Sequence, residues 1–275
     1  MAFSPNRTSH GSSDPSWEAQ REAVTSLFVV ASVPGIDPRR VPVHVGCVMD
    51  GNGRWATQRG LARTEGHKVG EEALFDVVEG GLELGLSWLS VYAFSTENWR
   101  RPKAEVDFLM HVMSDQICAK RKDELHERGV RVLFAGRRDW RVPKRVLRQM
   151  DEAVELTQHN RRMSLVFAFN YGGRAEIVDA VRGLVDAGVT GSKIDERAIA
   201  RHLYQPEMPD PDLVIRTSGE FRISNFLLWE MAYSELLFTD VLWPDFRREQ
   251  LFDAVREYQR RDRRFGSVRH GKGRQ

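Results

Sequence analysis

The chain has 275 residues, 41% of them hydrophobic and 29% charged, which suits one domain with a packed core and sets aside disordered and fibrous classes. A net charge of +2 is too mild to indicate nucleic-acid binding. Two cysteines, Cys47 and Cys118, cannot build a disulfide framework, and no apolar run reaches the ~20 residues of a membrane helix, so a secreted or membrane-spanning protein is set aside in favour of a cytoplasmic one.

Residues 1–42 read as an appendage. Met1 to Ser16 is rich in Ser, Pro, Gly and Asn and is expected to be a disordered arm. Trp17 to Ala31 has helical spacing of Trp17, Val24, Leu27 and Phe28, and reads either as a helix docked on the domain or as a flap that touches membrane. Val33 to Pro42 carries Pro34, Gly35, Pro38 and Pro42 and reads as a linker. From Val43 onward, short β-branched runs alternate with amphipathic stretches. Strands are expected at Val43–Met49, Trp88–Phe94, Val130–Ala135, Leu165–Phe169, Leu213–Ile215 and Leu236–Phe238. Helices are expected at Gly66–Leu84, Glu105–Glu127, Pro143–His159, Arg174–Ala187, Glu196–Leu203 and Arg247–Arg260. Such alternation predicts an α/β fold: a single domain over 43–266, with a central, mainly parallel sheet flanked by helices. The stretch from Arg260 holds Arg260, Arg261, Arg263, Arg264, Arg269, Lys272 and Arg274 against Asp262 alone and reads as solvated or as drawn to an anionic membrane face, with 267–275 as the basic tail beyond the domain.

Ligands of open parallel sheets bind beyond the carboxyl ends of the strands. Here those ends carry Asp50-Gly51-Asn52-Gly53-Arg54-Trp55, then Ser95 to Arg101, then Asn170 to Arg174, then Arg216 to Ser224. Four such loops rich in Gly and Arg point to a phosphorylated ligand. Gly51 and Gly53 would let backbone N–H groups approach a phosphate at a helix start. Arg54, Arg63, Arg216 and Arg222 can neutralise a diphosphate bidentately. Of the 41 basic residues, 34 are arginine, which suits anion recognition, though a GC-rich genome gives the same bias. Asp50 is either a helix N-cap or a ligand for Mg²⁺ shared with phosphate oxygens. His67 stands near a helix start, where a structural hydrogen bond is the plain alternative. There is no Walker loop, no Rossmann glycine fingerprint, no zinc-spaced Cys/His set, no nucleophile elbow and no Asp-Asp pair.

The stretch His44-Val45-Gly46-Cys47-Val48-Met49-Asp50-Gly51-Asn52-Gly53-Arg54-Trp55-Ala56, followed by Gly66-His67-Lys68, resembles the signature of the cis-prenyltransferases. Tyr92 to Trp99, Asp212 to Trp229, Tyr233-Ser234-Glu235-Leu236 and Trp243-Pro244 resemble further motifs of that family, in the same order. The resemblance implies a Mg²⁺-dependent homodimer with a hydrophobic product tunnel. Such an enzyme condenses isopentenyl diphosphate with an allylic diphosphate such as farnesyl diphosphate and makes each new double bond cis. It implies no nucleic acid, and transient contact with the inner membrane face for product release. By the same resemblance Asp50 and Asn98 are catalytic, Asn98 as proton acceptor or as the group that orients one. Gly51, Asn52, Gly53, Arg54, Arg63 and His67 cradle the allylic diphosphate. Phe94, Ser95, Thr96 and Glu97 line the reaction centre, and Trp55 and Trp99 wall the cation. Arg101, Arg216, Arg222, Ile223 and Ser224 bind isopentenyl diphosphate, and Glu235 joins Asp50 on the metal. Phe221 departs from members that carry His there.

Arg216 and Arg222 follow a different strand from Asp50 and Arg54, so they are expected to serve isopentenyl diphosphate and not the allylic substrate. Short-product members of the family tend to carry a larger residue where this chain has Ala93, so a long, undecaprenyl or decaprenyl-type product is expected. Strand alternation places Val91 and Ala93 on one face and Tyr92 and Phe94 on the other. The competing readings are a short-chain synthase and a non-catalytic subunit of a prenyltransferase complex; intact Asp50, Asn98, Arg216 and Arg222 argue against the subunit.

Overall fold

A computed structural model describes residues 33–261. The expected arm, the helix at Trp17–Ala31 and the basic tail at 267–275 lie outside the described residues. Six strands form one parallel sheet: β1 (His44–Val48), β2 (Trp88–Ser95), β3 (Val130–Ala135), β4 (Met163–Tyr171), β5 (Leu213–Arg216) and β6 (Glu235–Phe238). Their order across the sheet is β3-β4-β2-β1-β5-β6. Every residue of β1 is buried. Helices cover both of its faces, so the strand reads as a continuous apolar run and not as an alternation.

The helices are α1 (Asn52–Gln58), α2 (Arg63–Leu84), α3 (Lys103–His111), α4 (Lys122–Glu127), α5 (Lys144–Thr157), α6 (Gly173–Asp186), α7 (Glu196–Ala200) and α8 (Arg248–Arg260). One face of the sheet packs against α2, α3, α5 and α8 around Leu74, Val78, Leu89, Phe167 and Phe252. The other packs a smaller core of Val166, Ala168, Tyr171, Phe226 and Leu227.

Two expectations change. The single helix expected over Glu105–Glu127 is three pieces. After α3 the chain winds as a π-helix over Val112–Lys120, then breaks at Arg121 before α4. Its buried residues Met113, Ser114, Ile117 and Cys118 satisfy a period of 4.4 as well as one of 3.6, so apolar spacing over nine residues cannot tell the two apart. The second change is a bulge in β2. Tyr92 pairs with Ala168 and Phe94 with Phe169, which leaves Ala93 as an extra residue. That insertion resets the alternation: Phe94 sits in the α2-side core with Val91 and Ala93, while Tyr92 faces the other core. The expected pairing of Phe94 with Tyr92 on one face is therefore overturned.

Candidate active site

At the carboxyl edge of the sheet, Asp50 leaves β1 with its N–H bonded to Thr217 Oγ1 at 2.9 Å. Its Oδ1 accepts from the Gly51 N–H at 2.7 Å, and its Oδ2 accepts from Arg216 at 2.8 Å. Asp50 is not the helix cap. Gly51 is, at φ +106°, a conformation that favours glycine, and no side chain caps α1. The first N–H groups of α1 are thus open where Gly51, Asn52 and Gly53 line a cavity of about 770 Å³.

Arg54, one turn on, donates to Ser218 Oγ at 2.5 Å and lies 4.0 Å from Asp50 and 3.6 Å from Glu220. From the β5 end, Arg216 is buried and also donates to the Arg222 carbonyl and to Ser224 Oγ at 2.6 Å. Arg222 itself is exposed and pairs with Glu220. Arg216, expected to serve isopentenyl diphosphate, bonds Asp50 of the β1 loop as well as Ser224 of its own loop. β1 and β5 are hydrogen-bonded neighbours, with Val48 opposite Arg216, so their loops share one space.

α2 brings Arg63 and His67 to the same cavity because α1 and α2 cross very closely. A Cβ on Gly66 would fall 1.9 Å from the Asn52 carbonyl oxygen. Gly66→Ala is accordingly expected to cost about 3 kcal/mol of stability by overpacking, read as a lower urea midpoint with an unchanged slope; an unchanged midpoint would show that the crossing can relax.

Glu105 on α3, not anticipated from sequence, gathers Arg101 at 2.9 Å, Arg63 at 3.5 Å and His67 at 3.8 Å. Burial opposes its charge, yet Arg101 and Arg63 hold its carboxyl below the usual range. Burial, aided by Arg101, pushes His67 down to about 4 against the pull of Glu105, so the ring is neutral at pH 7. The one available signal for Glu105 was its i,i+4 spacing from Arg101.

After β2, Asn98 Oδ1 accepts the Ser95 N–H at 3.0 Å in a reciprocal cap of the turn Thr96–Arg100. Its carbonyl is committed, so its amide N–H₂ is left to serve the cavity. Ser95, Glu97, Asn98 and Arg101 all line that cavity, with Asn225 Nδ2 donating to Glu97 at 3.2 Å.

Away from these polar groups, Leu74, Ala93, Leu109, Met113, Ile117 and Phe169 make an apolar end between the sheet, α2 and the π-helical stretch. Six expected site residues stand elsewhere. Trp55 lies under Arg59 at 4.2 Å and donates to Asp245. Phe94 is 1% exposed and packs edge-on to Trp99. Trp99 donates to Asn170 Oδ1 at 2.7 Å. Thr96 packs over Gly172, and Ile223 against the smaller core. Glu235 opens β6 opposite Leu213, at the other end of the sheet from Asp50, and pairs with Arg261 at 3.0 Å. This chain does not bring it to Asp50, so the metal pair expected from sequence is not assembled within one subunit. Glu71, together with Ser218, Asn225 and Trp243, which stand in the strand-end loops and motifs but are not among the expected site residues, completes the site or its support.

The prenyltransferase family model described as that of undecaprenyl diphosphate synthase matches residues 48–266. A "Trans,polycis-polyprenyl diphosphate synthase ((2Z,6E)-farnesyl diphosphate specific)" from Thermobifida fusca is 55% identical over 242 residues, spanning 86% of this chain and 85% of that protein. A decaprenyl diphosphate synthase from Mycobacterium tuberculosis is 50% identical over 233 residues, 83% of this chain and 78% of that protein. The crystal structure of lavandulyl diphosphate synthase from Lavandula x intermedia in complex with dimethylallyl diphosphate superposes with a TM-score of 0.79 at 34% identity, covering 83% of this chain and all of that one.

Proposed function

This chain belongs to the cis-prenyltransferase family and is a polyprenyl diphosphate synthase; on that footing we propose that it extends a farnesyl-length allylic diphosphate with successive isopentenyl units to a long-chain Z-polyprenyl diphosphate, the lipid precursor of a cell-wall sugar carrier. The observation that carries the reading is the continuity of one cavity, cationic at the strand ends and apolar at depth. Arg54, Arg63 and the open N–H groups of α1 would take the departing allylic diphosphate as its C–O bond breaks and negative charge develops. The apolar end, walled by Leu109, Met113 and Ile117, excludes water from the allylic cation while the new C–C bond forms. Arg216, Arg222 and Ser224 would hold isopentenyl diphosphate. The proton lost from that unit goes to a diphosphate oxygen or a water that the Asn98 amide orients.

The donor set suits Mg²⁺. Asp50 supplies one hard carboxylate beside the arginines, and no cluster of three His, Cys, Asp or Glu competes for an ion among the described residues. Magnesium is commonly held by one or two carboxylates plus phosphate oxygens, so Asp50 would hold it together with a substrate diphosphate. Bound there, the ion would supply positive charge to the leaving group. A homodimer through the β6 edge is supported by the exposed Phe221 and Tyr233. Two buried free cysteines suit a reducing cytoplasm, and product release would take place at a membrane surface.

The test is incubation of the purified protein with Mg²⁺, farnesyl diphosphate and labelled isopentenyl diphosphate, followed by chain-length analysis. Long Z-products support the reading; a single addition means a short-chain enzyme, and no incorporation means a non-catalytic subunit. Ala93 gives a finer test, since the bulge turns it into the apolar end. Ala93→Leu is expected to slow elongation by roughly ten- to a hundredfold per blocked step, shifting products shorter while the first condensation survives. An unchanged product profile would remove Ala93 from the tunnel.

A further inference from the structure

On the sheet face away from the cavity two glutamates meet, with no cation between them among the described residues. Glu176, in the first turn of α6, is 1% exposed, and Glu230, which opens the 3₁₀ turn Glu230–Tyr233, is 4% exposed. Glu176 accepts from the Tyr171 hydroxyl and from the Tyr204 N–H at 3.0 Å, and its carboxyl faces that of Glu230 at hydrogen-bonding range. Among the described residues no donor reaches Glu230 Oε2, which suits an oxygen that carries a proton and donates it.

The other groups around the pair do not neutralise it. Tyr171 approaches from β4, with Tyr92 of β2 edge-on against its ring. Asp179 on α6 is engaged by Arg137 at 2.7 Å and by the Tyr204 hydroxyl at 2.6 Å. Asp210, ahead of β5, adds further negative charge and is itself pushed up to about 6 by burial. Burial raises both glutamates, Glu230 to about 8 with the charge of Glu176 as the second cause. Two carboxyls in so dry a place keep one proton between them.

The segment between β5 and Glu230 carries Arg222 and Ser224. It holds Ser218, Ser224, Asn225 and Leu227 at φ of +79°, +49°, +64° and +38°, conformations that persist only where the surroundings enforce them. α6 does this at two places. Its first N–H groups, from Gly173 and Arg174, bind Asn225 at 2.8 and 2.9 Å, and one turn on, Glu176 meets Glu230 where the segment ends. We propose that the proton shared by Glu176 and Glu230 fastens the segment 217–229 to α6 and so sets Arg222 and Ser224 for isopentenyl diphosphate. The inference rests on the prenyl-transfer reading above, and both glutamates are positioning residues.

When that proton leaves, two carboxylates stand side by side and the far end of the segment loosens. In the wild type the KM for isopentenyl diphosphate is expected to rise at least roughly fivefold between pH 7 and pH 9.5, with kcat changed less than twofold. Glu230→Gln keeps a donor toward Glu176 at every pH, so the difference between its profile and the wild-type one is the readout; its KM is expected to stay low and to change less than twofold. Glu230→Ala is expected to show the raised KM throughout. Urea unfolding across the same range supplies a reading independent of activity. The folded state keeps a proton that the unfolded chain releases above about 4.5, so wild-type stability falls as pH rises from there to about 8, and Glu230→Gln lacks that decline. Should Glu230→Gln fail to fold, Glu176→Gln, which removes the like charge, is expected to abolish the alkaline rise in KM. Parallel KM and stability profiles for wild type and variant overturn the proposal. A wild type inactive at every pH rejects the prenyl-transfer reading instead, and the urea series then decides whether the pair holds a proton.

Discussion

Asp50→Ala is expected to give a folded protein whose turnover is at least roughly a thousandfold lower. The side chain is 35% exposed, and its local structural task is to accept one backbone N–H and one arm of Arg216. Gly51 caps α1 and needs nothing from it. Losing those charge-assisted bonds costs about 3–5 kcal/mol, at most the lower end of the stability of a domain of this size, and Arg216 keeps its other two acceptors. The chemical loss is larger. On the proposed reading, Asp50 would anchor the metal and, through it, the departing diphosphate. Circular dichroism and thermal melting check the fold, and incorporation of labelled isopentenyl diphosphate checks the turnover. A well-folded variant with near-normal turnover would reduce Asp50 to a turn residue. Asp50→Asn sharpens the comparison, because it keeps an oxygen for the Gly51 N–H while removing the charge.

Arg216→Ala is expected to lose roughly two to three orders of magnitude in kcat/KM, on both substrates. The guanidinium is only 5% exposed and makes charge-assisted bonds to Asp50, Ser224 and the Arg222 carbonyl. Each such bond is worth about 1.5–3 kcal/mol, and its loss frees Asp50 and the strained segment together. Arg222→Ala removes an exposed side chain paired with Glu220, and its expected effect is a higher KM for isopentenyl diphosphate alone. The pair of variants divides the site as the geometry does. Initial-rate kinetics with each diphosphate varied in turn are the measurement. If Arg216→Ala altered KM for isopentenyl diphosphate alone, the guanidinium would belong to one substrate and its bond to Asp50 would be incidental.

Buried parallel strands announce themselves because both faces are apolar, so runs such as Val43–Met49 and Val130–Ala135 were readable to within a residue or two. The polar clusters after those strands were readable too, since a parallel sheet sends them to one edge whatever the helices do. What escaped depends on backbone pairing or on contacts between distant segments. The bulge at Ala93 leaves no mark in composition, yet it moves Phe94 from the expected face into the core. Trp55 and Trp99 carry motif spacing, but their ring N–H groups need partners and find them in Asp245 and Asn170, away from the cavity. Glu235 is expected on the metal with Asp50, and strand register, which places it at the other end of β6 within one subunit, is not visible in motif order. Glu105 and Glu230 acquire their meaning from residues brought together only by the fold.

The sheet order has a consequence for how the molecule comes into being. β1 lies between β2 and β5, and the bond that joins Asp50 to Arg216 spans 166 residues of sequence. During synthesis at about 5–20 residues per second, the edge of β1 that β5 will occupy stays unpaired for roughly ten to thirty seconds after β1 is made. That edge belongs to an apolar strand, His44–Val48, of the kind that adheres to other chains when left open. Non-local pairing of this sort also makes refolding slow. Recovery of catalytic activity after dilution from denaturant will therefore trail the recovery of helical signal, because the arginine that completes the site arrives on the strand that closes β1.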